Sequence, residues 1–355
     1  MKSPSLLTVC LLLAGRLTAA ELPDLKLKDV QAGGAPAAEA GQAVGGVAGK
    51  GVKEVDLLPQ LTGASNRNQC SVGSCHAFSS IAVLEAAYNR KYGEKIRFAE
   101  ADVFMRRTVM SKDLYNEFCA TGKCKLSEGN DVIGDINYAI ANGVASDLEY
   151  RDFLDRYLKY RAAEVKTLEG IEKRYQEMSW LEKLFYDPRA HWAELQDAPL
   201  SKNILERFLR GNDPKVAEQR ASSAAKLKGF VALEKSFAYL GDKAAKTSKE
   251  DCKKAGIPQG ELILKELHAA PKGRPISISM SLSGLPAWGQ TDVTAHANHA
   301  IAIVGYRMEE GKGAVFKTRN SWGAAENHDI QETELCRIYR IVTVLTPEEA
   351  SQAAR

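Results

Sequence analysis

Apolar positions along this chain fall into three successive regimes. After Cys75, residues Phe78, Ile81, Ala82, Val83, Leu84 and Tyr88 recur at helical spacing, which predicts a central buried helix from Ala77 to Tyr92. A second helix is predicted through Phe98–Met105. A third is predicted from Val132 through Asp135, Ile136, Tyr138, Ala139 and Ile140, with Asn142-Gly143 as a left-handed stop. From Arg151 to about Ala225 the pattern stays helical but becomes charged and aromatic, as in Phe153-Leu154-Tyr157-Leu158 and Trp180-Leu181-Leu184-Phe185. Pro188, Pro199, Gly211 and Pro214 divide that stretch into short helices. Its aromatics read as packing positions of amphipathic helices.

The last third changes period. Ile276–Met280 alternates, and 300–306, 313–318 and 337–342 read as strands. Helices first and strands later predict an α+β protein with two unlike halves and a cleft between them.

The first 52 residues follow neither pattern. Lys2, then Leu6–Gly15, then Thr18-Ala19-Ala20 have the order of a cleavable export signal, and the apolar run of about ten residues is too short to span a bilayer. Residues 1–20 are therefore expected to be a signal peptide, and the mature protein secreted or periplasmic. Lipidation at Cys10 fits poorly, because Thr8-Val9 is not the small pair expected before a lipidated Cys. Residues 21–52, rich in Gly and Ala, are expected to be a linker or short pro-segment. Ordered structure is expected over 53–345, with a helical insertion at about 151–225 and a tail at 346–355.

Charge narrows the partners. The whole chain carries +3; removing 1–20 takes Lys2 and Arg16 and no acid, leaving +1. A nearly neutral chain offers no electrostatic basis for nucleic-acid or membrane binding. Six cysteines follow the signal: Cys70, Cys75, Cys119, Cys124, Cys252 and Cys336. Export permits disulfides, and if Cys75 stays reduced at most two form; spacing does not fix the pairing.

Candidate chemistry centres on Asn68–Ser79. Cys75 follows a Gly-Ser turn and opens the predicted helix, where unpaired N–H groups and the macrodipole favour a thiolate. Gln69 is an amide that a folded loop could aim at the same spot. A cysteine nucleophile also needs a base, a group to orient that base, and oxyanion donors. His299 heads a predicted strand, and Asn320 ends the next one. Antiparallel pairing would bring the Asn320 amide oxygen to the His299 ring, with Trp322 covering the bond. A metal site on His296 and His299 lacks a third spaced ligand, and no cofactor is expected.

Together, Gln69…Gly73-Ser74-Cys75-x-Ala77-Phe78-Ser79, Asn298-His299-Ala300…Val304-Gly305-Tyr306 and Asn320-Ser321-Trp322-Gly323 resemble the papain/cathepsin cysteine peptidases. The resemblance extends to Val55-Asp56-Leu57, Phe98-Ala99-Glu100, Gly129-Asn130 and Leu262–Met280. It covers most of 53–150 and 226–325. It implies a two-lobed fold, a helical lobe and an antiparallel β-barrel-like lobe with the active-site cleft between them. It implies hydrolysis of peptide bonds through a Cys75 thiolate–His299 imidazolium pair and a thioester acyl-enzyme. Asn320 would orient His299, and Gln69 with the Cys75 N–H would hold the oxyanion. Gly129 and Asn130 would bind an extended peptide. Ala300 and Ser279 would line the pocket for the side chain one residue beyond the scissile position, with Trp322 and His76 also at the cleft.

Several positions depart from that family. His76 stands where it has Trp, Cys70 where it has Gly, and Val72 where it has Cys. After Gly323 a second Trp-Gly is missing. The Cys75–His299 interval is longer by roughly 80–90 residues, the surplus being 151–225, a candidate lid, inhibitory element or surface for a protein inhibitor or partner. Two other readings keep the same residues: a catalytically silent binding protein of this fold, and a cysteine amidase or acyltransferase acting on cell-wall or other amides.

Overall fold

The computed structural model describes residues 54–61, 67–69, 73–109, 129–146, 166, 169–186, 214–240, 243–269, 272–285, 288, 298–310, 313–322 and 328–353. The signal peptide, the 21–52 segment, Cys70, Cys119, Cys124, His296 and most of 151–213 lie outside the described residues.

In chain order the elements are β1 (Glu54–Asp56), α1 (Cys75–Tyr92), α2 (Glu100–Phe104), α3 (Val132–Asn142), α4 (Trp180–Leu184), α5 (Pro214–Leu227), β2 (Val231–Ser236), α6 (Lys243–Lys246), α7 (Lys249–Ala255) and α8 (Ile257–Leu267). The remainder are β3 (Ile276–Ser281), β4 (Asn298–Glu309), β5 (Gly313–Arg319), β6 (Ile330–Gln331), β7 (Ile338–Leu345) and α9 (Pro347–Ala353). Every strand pairing is antiparallel, in the order β2-β7-β3-β4-β5-β6, with β1 added against the second half of β4.

The architecture is therefore mixed helical and antiparallel, but the expected barrel-like lobe is corrected to an open sheet. Among the described residues β2 pairs only with β7, and β6 pairs only with β5 through two residues. Closure would need those edge strands to meet with a matching stagger.

The pleat of β4 sorts its side chains onto two cores. Ala300, Ala302 and Val304 join Val342 and Val344 in packing on α1 and α3. Ile301 and Ile303 face the opposite way, onto Ile263 and Leu267 of α8, and a register shift between Ile303 and Gly305 brings Tyr306 to that core as well. That alternation is the period of two in the sequence made physical.

Helix α1 is the centre of the molecule, with every residue from His76 to Tyr88 buried. Gly93 ends it in the left-handed conformation (φ 70°), its N–H bonded to Asn89 O at 2.8 Å. Polar groups on so buried a helix must find partners. Ser79 Oγ meets Ser277 Oγ of β3 at 2.6 Å, and Ser80 Oγ donates to His76 O at 2.7 Å. Glu85 Oε1 accepts from Phe98 N at 2.8 Å and Arg67 Nη2 at 3.1 Å.

Two further findings refine the expected organisation. Helix α5, the end of the expected insertion, is bound into the helical layer. Arg220 Nε donates to the buried Asp102 at 3.1 Å, and Ser223 Oγ both donates to Val144 O and accepts from Val144 N. Gly143 turns the chain there at φ 69° and ψ 170°, and a Cβ would collide with the Arg220 carbonyl. The expected tail instead carries α9, held to α1 by Arg90 and Glu349 at 3.4 Å. A disulfide joins Cys252 of α7 to Cys336 before β7, with Cα atoms 4.9 Å apart. Among the described residues Cys75 is the free cysteine.

Asp102 is fully enclosed and balances two nearly buried guanidiniums, Arg106 at 2.9 Å and Arg220. Asp102→Ala would remove the buried carboxylate that both guanidiniums share, so unfolding free energy in urea at neutral pH is expected to fall by about 3–5 kcal/mol. A loss below about 1 kcal/mol would show that the cluster does not hold α5 in place.

Candidate active site

Cys75 is the first residue of α1, and Ser74 before it has non-helical backbone angles with no side-chain cap bond. The first turn contains no acidic residue, and the N–H groups of Cys75 and His76 act on the thiol. The backbone N–H of Ala300 in β4 also acts on the thiol. The register pairs His299 with Met280 and Ala300 with Ser279, which fixes the head of β4 beside the start of α1.

His299 is 4% exposed. Its Nε2 lies 2.8 Å from Asn320 Oδ1. Asn320 is held in turn, because the same Oδ1 accepts from Ser321 N at 2.7 Å. Trp322 stacks on the imidazole with centroids 4.4 Å apart and planes at 28°, and Trp288 stands edge-on to both rings. The second aromatic of this wall comes from residue 288, in a loop whose sequence carried no periodic signal. The His328 ring lies 5.3 Å from Trp288, centroid to centroid.

Gln69 is buried and its amide is oriented. Ser321 Oγ donates to Gln69 Oε1, and Gln69 N donates to Ser321 O at 2.7 Å. With the oxygen accepting from Ser321, Nε2–H₂ is the donor end of that amide. One loop, 320–322, thus orients both the imidazole and the amide.

Behind that loop lies a buried charge cluster. Arg67 bonds Glu85, Glu100 and Phe98 O, the last at 3.1 Å. Arg319, one residue before Asn320, is pushed down to about 10 by burial, against the pull of Glu85. A cavity of about 10 Å³ lies between Arg67, Glu100, Arg319 and Asn320.

The remaining sequence candidates separate. Ser279 is half-buried beside Ala300. Gly129 and Asn130 are exposed just before Asp131, whose carboxylate caps α3 by accepting from Gly134 N at 2.7 Å. A Cβ at Gly129 would meet nothing within 4 Å. His76, expected at the cleft, is 2% exposed, and its Nδ1 lies 2.5 Å from the fully buried Asp135. Asp135 also accepts from Arg107 at 2.7 Å. The His76 side chain is thereby tied to α3.

Burial acts against the expected thiolate–imidazolium pair. Burial pushes the Cys75 thiol above its ordinary value, outweighing the N–H groups of Ala300, His76 and Cys75 that favour the anion; the Asp135 charge adds to the rise. Burial likewise pulls His299 down to about 4, with the Asn320 bond opposing. Neither group holds its charge alone in this enclosure. Among the described residues no three His, Cys, Asp or Glu side chains are grouped to hold a metal.

No protein-family model and no curated protein sequence matches the chain. Solved structures similar to it include a recombinant stem bromelain precursor, at 15% identity over 83% of this chain and 70% of that one, TM-score 0.39. The bromelain protease from Ananas comosus in complex with the E64 inhibitor is similar at 16% identity over 83% and 99%, TM-score 0.39. Digestive procathepsin L 3 of Tenebrio molitor larval midgut is similar at 10% identity over 82% and 69%, TM-score 0.42. Similarities this distant carry no chemistry over, and the reading of the site rests on its own geometry.

The buried imidazole makes stability depend on pH. In the unfolded chain His299 takes a proton below about 6.5, whereas in the fold it does so only near 4. The unfolded state therefore binds more protons in that window, and this contribution is lost as pH falls through it. Wild type is expected to lose roughly 3 kcal/mol more between pH 7 and pH 4 than His299→Gln, read from urea midpoints. Equal losses would refute a buried neutral His299.

Proposed function

We propose that this protein is an exported, papain-like cysteine peptidase with Cys75 as nucleophile and His299 as base. The observation that carries the reading is the His299–Asn320 bond under Trp322, at the head of a strand whose next residue touches the thiol of a helix N-terminus. A structural histidine needs no orienting amide roofed by an indole, and a structural cysteine needs no free helix end.

The chemistry follows from the site. As the substrate carbonyl approaches, the Cys75 proton passes to the free ring nitrogen of His299 and Sγ bonds to the carbonyl carbon. The Gln69 amide and the Cys75 N–H receive the oxyanion. The imidazolium then protonates the leaving amine and leaves a thioester, which water hydrolyses with His299 again as base. Asn320 keeps the ring in the productive orientation throughout. Gly129 and Asn130, exposed at the mouth of α3, are suited to hold an extended peptide backbone. Export rests on the sequence of residues 1–20; no described helix is long and apolar enough to cross a membrane.

A thiol-directed epoxysuccinyl peptide should label wild type and fail to label Cys75→Ala. Absence of wild-type labelling, or equal labelling of both, would overturn the reading. His299→Ala should abolish peptide hydrolysis while leaving the circular dichroism spectrum unchanged, and retained turnover would refute its role as base. Gln69→Ala should lower kcat by about 10²–10³; an unchanged kcat would remove Gln69 from the oxyanion site. With the imidazole lowered and the thiol raised, kcat/KM should follow a broad bell, its acid limb below 6.5 and its alkaline limb above 9. A narrow bell inside those limits would show that the neutral pair is not the resting form.

A further inference from the structure

The strand beside the site contains an irregularity that the acyl-transfer chemistry does not use. Between β3 and β7 the register runs Ser277–Val342, Ile278–Ile341 and Ser279–Arg340, then jumps to Met280–Ile338. Tyr339 is the extra residue, and such a bulge re-aims its side chain relative to a regular ladder. Across β3, Ser279 and Met280 pair with Ala300 and His299, so the bulge is level with the head of β4.

Tyr339 is half-buried, with the Ser279 hydroxyl beside its phenol. Its backbone is held on its second side as well, the carbonyl accepting from Phe237 N at 2.8 Å. That bond brings in Tyr239, whose ring packs edge-on against Tyr339, centroids 5.0 Å apart and planes at 83°. The Tyr239 hydroxyl donates to Asn298 Oδ1 at 3.2 Å, on the residue just before His299. Tyr239 remains 49% exposed, so hydrophobic burial does not account for its placement.

We propose that Tyr239 and Tyr339 form a specificity wall, confining the substrate side chain that rests on Ser279 and Ala300 to small residues. The inference rests on the peptidase reading and deepens it. A side chain lying on the Ala300 methyl and Ser279 meets the Tyr339 ring at its far end. That ring cannot retreat, because β3 holds its strand on one side and Phe237 and Tyr239 brace it on the other. Gly, Ala and Ser fit before the phenols, whereas Leu, Phe and Arg collide with them. A missing or extra methylene in such a pocket changes selectivity by roughly 10–200-fold, so a whole ring dominates the preference.

The test is a cleavage profile on a peptide library varied at the residue before the one donating the scissile carbonyl. The comparison is between wild type, Tyr339→Ala, Tyr339→Phe and Tyr239→Ala, each checked by circular dichroism. Wild type should favour Gly, Ala and Ser there. Tyr339→Ala should raise the kcat/KM ratio for Leu over Ala by at least tenfold, and Tyr339→Phe should keep the wild-type profile. Tyr239→Ala, at an exposed position that the fold tolerates, should shift the ratio the same way by a smaller factor. Wild-type preference for large side chains, or identical profiles in wild type and both alanine variants, would overturn the wall while leaving the peptidase reading intact. No cleavage by wild type, with no epoxysuccinyl labelling of Cys75, would instead sink the peptidase reading and the wall with it.

Discussion

The burial of helix α1 on every side, from His76 to Tyr88, is the constraint from which the rest of the molecule follows. A helix with no solvent face cannot leave a polar side chain to water, so each one specifies a partner on a neighbouring element. Ser79 selects Ser277 of β3, His76 selects Asp135 of α3, and Glu85 selects Arg67 and the Phe98 backbone. These contacts fix the depth and rotation of the helix against the sheet. Cys75, at its first position, is placed by them to the same degree.

Charge is managed by pairing throughout this interior. Glu85, Glu100, Asp102 and Asp135 are all at most 3% exposed, and each meets a guanidinium. Such pairs stabilise little against an apolar replacement, but they penalise every arrangement that separates them. In the proposed mechanism the site follows the same rule, with a proton moving from Cys75 to His299 in place of fixed charges. Burial disfavours the thiolate and the imidazolium singly, and proton transfer creates both together.

Much of this was readable from local pattern. The central helix, the α3 helix with its Gly143 stop and the strands of the last third follow from periodicity and turn residues. The separation of His299 and Asn320 on successive strands foretold their contact, because an antiparallel ladder brings such positions side by side. Other features had no local signal. Sheet closure depends on whether two edge strands meet, which no single strand encodes. α9 is short and its stabilising contact, Arg90 to Glu349, spans most of the chain. His76 read as a cleft residue because it follows Cys75, yet adjacent positions on a helix project about 100° apart, and Asp135 lay nearly sixty residues away.

What the sequence determined by itself is the cast of chemical groups: a cysteine opening a helix, a histidine opening a strand, an asparagine closing the next and a glutamine upstream. Those are statements about residue type and local backbone, set by interactions a few residues apart. Only the tertiary structure decided the state of those groups and their surroundings. Ser321 turns the Gln69 amide, Trp288 completes the aromatic wall, and a one-residue bulge brings Tyr339 level with His299. The upward push on the Cys75 thiol and the downward push on the His299 imidazole likewise come from enclosure, because the cost of a buried charge depends on everything packed around it and not on the neighbours in the chain.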